Sequence, residues 1–259
     1  MSVDLHNHTT LCKHATGTPK EYVEKAIKEN IDFFGFSDHA PMNYDPKYRM
    51  KFEQMQMYES SILKLQDEYK NNLNVLLGYE VDFLNGLVDD RVLKADVDYL
   101  IGSVHFIDKW GFDNPEFIGQ YKHKNIDKIW EDYFEVIESL AKSRLFNIVG
   151  HIDLIKVFNF LPKQDIKLLA LKSIKEIKKA NMVVEINAAG YRKPIKEAYP
   201  SSTIMELLCE YDIPITFGSD AHAPDQVGFK QQEIYTLAKS YGYSKCATFV
   251  KKERTMVNF

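Results

Sequence analysis

The chain has 259 residues, 33 Lys+Arg against 37 Asp+Glu for a formal net charge of −4, and 45% hydrophobic residues. This length suits a single barrel of about 250 residues, and the composition excludes collagen-like, disordered and disulfide-scaffold classes. The mild acidity argues against a general nucleic-acid binder.

Short apolar runs alternate with amphipathic segments in the manner of repeated β-α units around a parallel sheet. The expected strands are Val3 to His8, Phe33 to His39, Val75 to Phe83, Tyr99 to Phe106, Asn147 to Asp153, Val183 to Ala189 and Ile213 to His222. Thr18, Pro19 and Glu21 announce the first helix, with a capping box and proline at the first helical position. Further helices are expected over Lys47 to Tyr69, Gly86 to Ala95, Ile126 to Arg144, Asp165 to Ala180 and Ser201 to Tyr211. Lys109 to Asn125 reads as a long loop or lid. No linker or repeat interrupts the series, so residues 1–259 are expected to form one α/β barrel domain.

Cys12, Cys209 and Cys246 are an odd number without paired spacing, which fits a reducing compartment. The N-terminus has neither a basic start nor an apolar core, and no run approaches roughly 18 apolar residues. The expectation is a cytoplasmic protein without membrane association.

Eight histidines, at positions 6, 8, 14, 39, 105, 123, 151 and 222, are the most informative feature. His6 and His8 close the first strand two residues apart, hence on one face. His39, His105, His151 and His222 close the second, fourth, fifth and seventh strands. Glu80 and Asp220 sit at matching strand ends. In a barrel these ends converge on one face. A lone histidine at a strand end is usually a satisfied core residue, but this joint pattern reads as a polynuclear metal site. Seven histidines and two carboxylates are enough for three divalent ions at three or four ligands each. Their excess positive charge would hold an anionic substrate, and a phosphate monoester fits that field.

The residues Asp4-Leu5-His6-Asn7-His8-Thr9, Cys12-Lys13-His14, Ser37-Asp38-His39-Ala40-Pro41, Gly78-Tyr79-Glu80, Gly102-Ser103-Val104-His105, Gly150-His151-Ile152-Asp153 and Gly218-Ser219-Asp220-Ala221-His222 resemble the polymerase-and-histidinol-phosphatase (PHP) family in order and spacing. The resemblance runs from residue 3 to about 228. Pro41, Glu185 to Gly190 with Arg192-Lys193-Pro194, and Tyr199-Pro200-Ser201 are most similar to its stand-alone histidinol-phosphate phosphatases.

The resemblance implies a distorted seven-stranded β/α barrel with a trinuclear centre at the C-terminal strand ends. Carried over by motif, His6, His8, Glu80 and Asp220 would hold one ion, Glu80, His105 and His151 a second, and His14, His39 and His222 a third, with Glu80 as the bridge. Zinc heads the expectation, with iron or manganese as alternatives, since imidazole suits all three. The implied reaction is hydrolysis of L-histidinol phosphate to L-histidinol and phosphate in histidine biosynthesis. The expected nucleophile is a metal-bound hydroxide, because no Ser, Cys or Asp has a motif for a covalent intermediate. A nucleotide phosphate or a DNA 3′ end is the alternative substrate, and an inactive metal-binding interaction module the non-enzyme alternative. The expected partner is a small phosphate monoester, without nucleic acid; the oligomeric state is open.

For phosphate recognition outside the metals the candidates are Arg192 and Lys156, with Lys13 weaker. The alternative for each is a solvated loop charge. Asn187 is expected either to orient substrate or water, or to form a turn. Asp38 and Asp153 either accept a ring N–H from a ligand histidine or cap a helix. His123 reads as a loop residue, and Cys12 as a bystander beside the ligand set.

Overall fold

The computed structural model describes residues 1–84 and 86–259. Along the chain come β1 (Val3–Asp4), α1 (Pro19–Lys28), β2 (Phe33–Phe36), α2 (Met55–Tyr69), β3 (Asn74–Asp82), α3 (Asp90–Leu93) and β4 (Tyr99–Ser103). The short strands β5 (Phe106–Ile107) and β6 (Trp110–Gly111) follow, then α4 (Ile126–Ser143), β7 (Ile148–Val149), α5 (Ile166–Lys179), β8 (Val183–Asn187) and α6 (Ser202–Glu210). The chain ends with β9 (Ile215–Gly218), α7 (Gln231–Ser240), β10 (Lys245–Val250) and β11 (Glu253–Asn258).

Seven of these strands form one parallel sheet in the order β1-β2-β3-β4-β7-β8-β9. The sheet curls until its edges meet: Leu5 N–H donates to the Phe217 carbonyl and His8 N–H to the Ala221 carbonyl, each at 2.9 Å. The expected seven-stranded α/β barrel is therefore present. Its strands are buried on both faces, as parallel strands covered by helices are; Phe34, Phe36, Ile101, Val149, Val184, Ile186 and Phe217 are all at or near zero exposure. Inside the barrel the Tyr99 hydroxyl donates to the Leu5 carbonyl at 2.6 Å. Gly35 leaves room for it, since a Cβ there would stand 2.0 Å from that oxygen.

Helix α1 starts as its sequence dictates: Thr18 accepts the Glu21 backbone N–H, and the Glu21 carboxylate accepts the Thr18 N–H at 2.6 Å. In α4, Trp130, Tyr133 and Phe134 face inward at helical spacing. The segment from Lys47 forms two 3-10 turns before α2 begins at Met55. Lys109 to Asn125 is more ordered than a plain loop, comprising β6 and a 3-10 turn over Pro115–His123. Tyr121 of that turn stacks on Phe160 at 4.4 Å between centroids.

Helix α7 and the antiparallel hairpin of β10 and β11 lie beyond every expected element. The hairpin closes the N-terminal mouth of the barrel: Thr216 donates to the Ala247 carbonyl, and Lys252 N–H to the Asp98 carbonyl, both at 2.8 Å. The opposite mouth is left free for chemistry.

Candidate metal centre

Past Asp4 the chain stays extended, and His6 and His8 both turn into the C-terminal mouth, fully buried. His6 Nδ1 donates to Glu185 Oε1 at 2.7 Å, which leaves Nε2 without a hydrogen bond, 3.4 Å from Glu80 Oε2. His8 Nε2 lies 3.2 Å from Asp220 Oδ1, and its Nδ1 lies 3.5 Å from Asp38 Oδ1.

Glu80 is the hub. Its Oε1 is 2.9 Å from His151 Nε2 and 3.6 Å from His105 Nε2. Its Oε2 is 2.9 Å from His39 Nδ1 and 3.7 Å from His8 Nε2. With His6, five imidazoles surround one carboxylate that is 1% exposed.

His14, His39 and His222 form the outer side of the cluster, with the His14 and His222 rings stacked at 4.6 Å. His14 Nδ1 contacts the Cys12 carbonyl at 2.8 Å and His222 Nδ1 the Asp220 carbonyl at 3.1 Å, so each ring is oriented through its backbone-side nitrogen. His222 Nε2 has no partner among the described residues.

Ligand atoms lie within 4.8 Å of one another in the groups His6, His8 and Glu80; Glu80, His105 and His151; His14, His39 and His222; and His6, His151 and Asp220, while buried Cys12 comes as near to His8 and His222. All nine side chains named from the sequence thus converge on one mouth. The donor set fits divalent ions. Buried ring nitrogens without partners are costly in a bare protein, and His6 Nε2, His8 Nε2 and His222 Nε2 are such atoms.

The electrostatics divide the histidines. Burial would lower His8, but the neighbouring carboxylates of Asp220, Asp38 and Glu80 raise it to about 9. Burial is likewise overcome at His105 by Asp82 and Glu80, which raise it to about 10. Burial lowers His39 to about 4, and it also lowers His14 and His222. Glu80 is held well below the carboxylate range because His6, His39 and His105 overcome the cost of burial. The outer trio is therefore neutral, the form a metal requires, whereas the inner pairs hold protons that a metal must displace.

Two supporting residues escaped sequence reasoning. Glu185 accepts from His6 and from the His151 backbone N–H at 2.9 Å. Asp82 accepts from His105 Nδ1 and from the buried guanidinium of Arg49. The signal available was alternation: Asp82 lies two residues from Glu80 on one face of β3. Gly218 serves this arrangement, because a Cβ there would stand 2.1 Å from Glu185 Oε1. Asp220 adopts a left-handed conformation at φ +52, a cost of roughly 1 kcal/mol for a residue with a side chain.

Asp38 faces His8, not the adjacent His39 ring, and also accepts the His39 backbone N–H at 2.8 Å. Asp153 takes neither expected role; it pairs with Lys156 at 3.0 Å and accepts Ser201 N–H at 2.8 Å. Asn187 caps the turn at Ala189 and donates to Glu185 at 3.0 Å. His123 is exposed. Exposed Lys13 donates to the Pro46 carbonyl at 2.6 Å.

A cavity of about 400 Å³ opens over the cluster, walled by Arg192, Tyr199, Glu80, Asp220 and the outer histidines. Arg192 donates through Nη2 to the Ser219 and Asp220 carbonyls, each at 2.8 Å, and keeps Nη1 unpartnered. The Tyr199 hydroxyl is also unpartnered, and burial keeps its phenol protonated by pushing its pKa up. Lys156 stands apart from this wall. It is 1% exposed, with its ammonium 2.8 Å from the Ala198 carbonyl and 2.7 Å from Glu197.

The PHP domain model matches residues 4–189. The chain belongs to the PHP domain family. A probable histidinol-phosphatase from Deinococcus radiodurans is 41% identical over 232 residues, covering 88% of each protein. The histidinol-phosphatase of Bacillus subtilis is 28% identical, over 87% of this chain and 95% of that one. Among solved structures, histidinol phosphate phosphatase from Lactococcus lactis, complexed with zinc, L-histidinol and phosphate, superposes with a TM-score of 0.79 at 21% identity, over 98% of both chains. That likeness shows the same barrel fold. No helix among the described residues is long and apolar enough to cross a membrane.

Proposed function

We propose that this PHP protein is a metal-dependent histidinol-phosphatase, hydrolysing L-histidinol phosphate to L-histidinol and phosphate in histidine biosynthesis. The observation that carries this reading is the complete set of nine ligand-type side chains around Glu80, facing a cavity with two unused hydrogen-bond donors. The histidinol-phosphatase relative at 41% identity supports the choice of alcohol.

His6, His8, Glu80 and Asp220 would hold one ion, Glu80, His105 and His151 a second, and His14, His39 and His222 a third. Zinc is favoured by the zinc in the Lactococcus lactis neighbour, with iron or manganese as alternatives. When bound, such ions supply Lewis-acid charge and ionise water near neutral pH. The chain supplies the rest. Arg192 Nη1 and the Tyr199 hydroxyl donate to the phosphate, and the carbonyls of Ser219 and Asp220 keep the guanidinium aimed at it. Glu185, Asp82 and Asp38 fix imidazole orientation. Water is the expected nucleophile: among the described residues no Ser, Thr or Cys lines the cavity, and the carboxylates of Glu80 and Asp220 would be taken up as metal ligands.

Three free cysteines support a reducing compartment such as the cytoplasm. The net charge of −4 favours a small ester over nucleic acid. The test is turnover by zinc-loaded protein of L-histidinol phosphate, a nucleoside 3′-phosphate and single-stranded DNA. A kcat/KM at least about 100-fold higher for L-histidinol phosphate supports the reading. A preference for either nucleic-acid substrate contradicts it.

A further inference from the structure

The metal cavity opens sideways into a second cavity of about 530 Å³, and Asp113 and Lys193 stand with His14, His39 and His105 in the walls of both. Beyond this junction the wall changes character: Tyr44, Tyr48, Phe106 and Phe117 line it. The Tyr44 and Phe106 rings meet edge-on at 5.3 Å, and Tyr48 meets His14 edge-on at 5.7 Å. An aromatic chamber therefore adjoins the metal cluster directly.

Asp113 is held firmly at the junction. Phe112 before it is fully buried and packs edge-on against Tyr133 at 5.4 Å. Asn114 after it caps the 3-10 turn by accepting the Glu116 N–H at 2.9 Å. The carboxylate itself is half-buried, yet among the described residues it makes no hydrogen bond or ion pair. The other acidic groups around this mouth behave differently, for Asp38, Glu80, Asp82 and Glu185 each face an imidazole or a guanidinium. A half-buried carboxylate with no partner gives up part of its hydration without return, and a cationic ligand group offsets that cost.

We propose that Asp113 is a specificity residue that pairs with the ammonium group of the substrate, while the aromatic chamber takes the imidazole end. The inference rests on the histidinol-phosphate reading and deepens it. In that ester the amine is on the carbon next to the one carrying the phosphate oxygen, and the imidazole is one carbon further. A phosphate over the metal cluster thus puts the amine at the junction and the ring among Tyr44, Tyr48, Phe106 and Phe117. Flat aromatic walls suit a flat heteroaromatic ring, and a fixed acid suits a fixed ammonium.

The experiment compares zinc-loaded wild type, Asp113→Asn and Asp113→Glu on L-histidinol phosphate, on the same ester lacking the amine, and on 4-nitrophenyl phosphate. Loss of one charge-assisted contact is expected to lower kcat/KM of Asp113→Asn on L-histidinol phosphate about 10- to 100-fold, mostly through KM, and to leave the two amine-free esters within about 3-fold. Asp113→Glu is expected to recover part of the loss, with unchanged zinc content in both variants. An equal loss on all three esters, or no loss on L-histidinol phosphate, overturns the assignment. A wild type that does not prefer L-histidinol phosphate over 4-nitrophenyl phosphate overturns the histidinol-phosphatase reading itself, and the assignment with it.

Discussion

Glu185 anchors His6 from below the metal mouth: its Oε1 lies 2.7 Å from His6 Nδ1, and both side chains are essentially inaccessible to solvent. The contact fixes the tautomer that points His6 Nε2 at Glu80, and the second carboxylate oxygen holds the His151 backbone. Replacing Glu185 with Gln keeps the shape and removes the charge. Zinc affinity at the inner sites is expected to fall about 10- to 100-fold, as is usual when a partner behind a ligand is lost. Competition with a chromogenic chelator measures this, and unchanged affinity would show that His6 needs no anchor.

Arg192 presents its free Nη1 to the cavity, without a hydrogen bond to any of the nine ligand-type side chains. Arg192→Ala is expected to reduce kcat/KM on every phosphate monoester by a similar factor, equivalent to roughly 1.5 to 3 kcal/mol for one charged hydrogen bond. Zinc content is expected to stay constant. A loss confined to one ester would move Arg192 from the phosphate to the leaving group.

The pH behaviour of the metal-free protein follows from the raised histidines. His8 at about 9 and His105 at about 10 both lie above the unfolded value of about 6.5. Their ion pairs therefore stabilise the fold fully below about pH 6.5, and that stability is lost as pH rises through 9 and 10. His39, lowered to about 4, acts in the opposite sense, but its contribution is complete once the unfolded imidazole is neutral, about one pH unit above 6.5, so above that point it adds nothing to the slope. Zinc reverses the sign, because it needs the neutral rings. Between pH 6.5 and 9 the Tm of metal-free protein is expected to fall and the Tm gain from zinc to grow. Thermal scans with and without zinc check both slopes, and a zinc gain that shrinks with pH contradicts the charge distribution.

Lys156 separates what sequence could reveal from what it could not. Its place after the fifth strand was readable, but its burial was not, because it depends on Asp153 and on Ala198 and Glu197 from a loop more than forty residues away. Lys156→Met would leave Asp153 without its cation and is expected to destabilise the protein by about 3 kcal/mol. Urea unfolding measures that loss, while kcat/KM of the folded enzyme is expected to change little. A large kinetic defect with normal stability would return Lys156 to the substrate.

The barrel and its cluster were legible because two periodicities coincide: apolar runs mark the strands, and ligand residues recur where those runs end. Glu185 and Asp82 were harder to see because their partners, His6 and His105, come from other strands. The hairpin of β10 and β11 was hidden for another reason. Only Cys246, Ala247, Thr248 and Phe249 of β10 are buried, and most of β11 is exposed, so no long apolar run marks the pair.

The most direct test is a zinc titration of metal-free protein, following L-histidinol phosphate turnover and bound zinc together, with Glu80→Gln in parallel. Wild-type activity is expected to be absent without metal and to reach its plateau near three ions per chain. Glu80→Gln is expected to keep about one tightly bound ion and to lose most turnover, since one carboxylate serves two sites. Turnover in the absence of metal, or a plateau at one ion with Glu80→Gln fully active, would contradict a trinuclear histidinol-phosphatase.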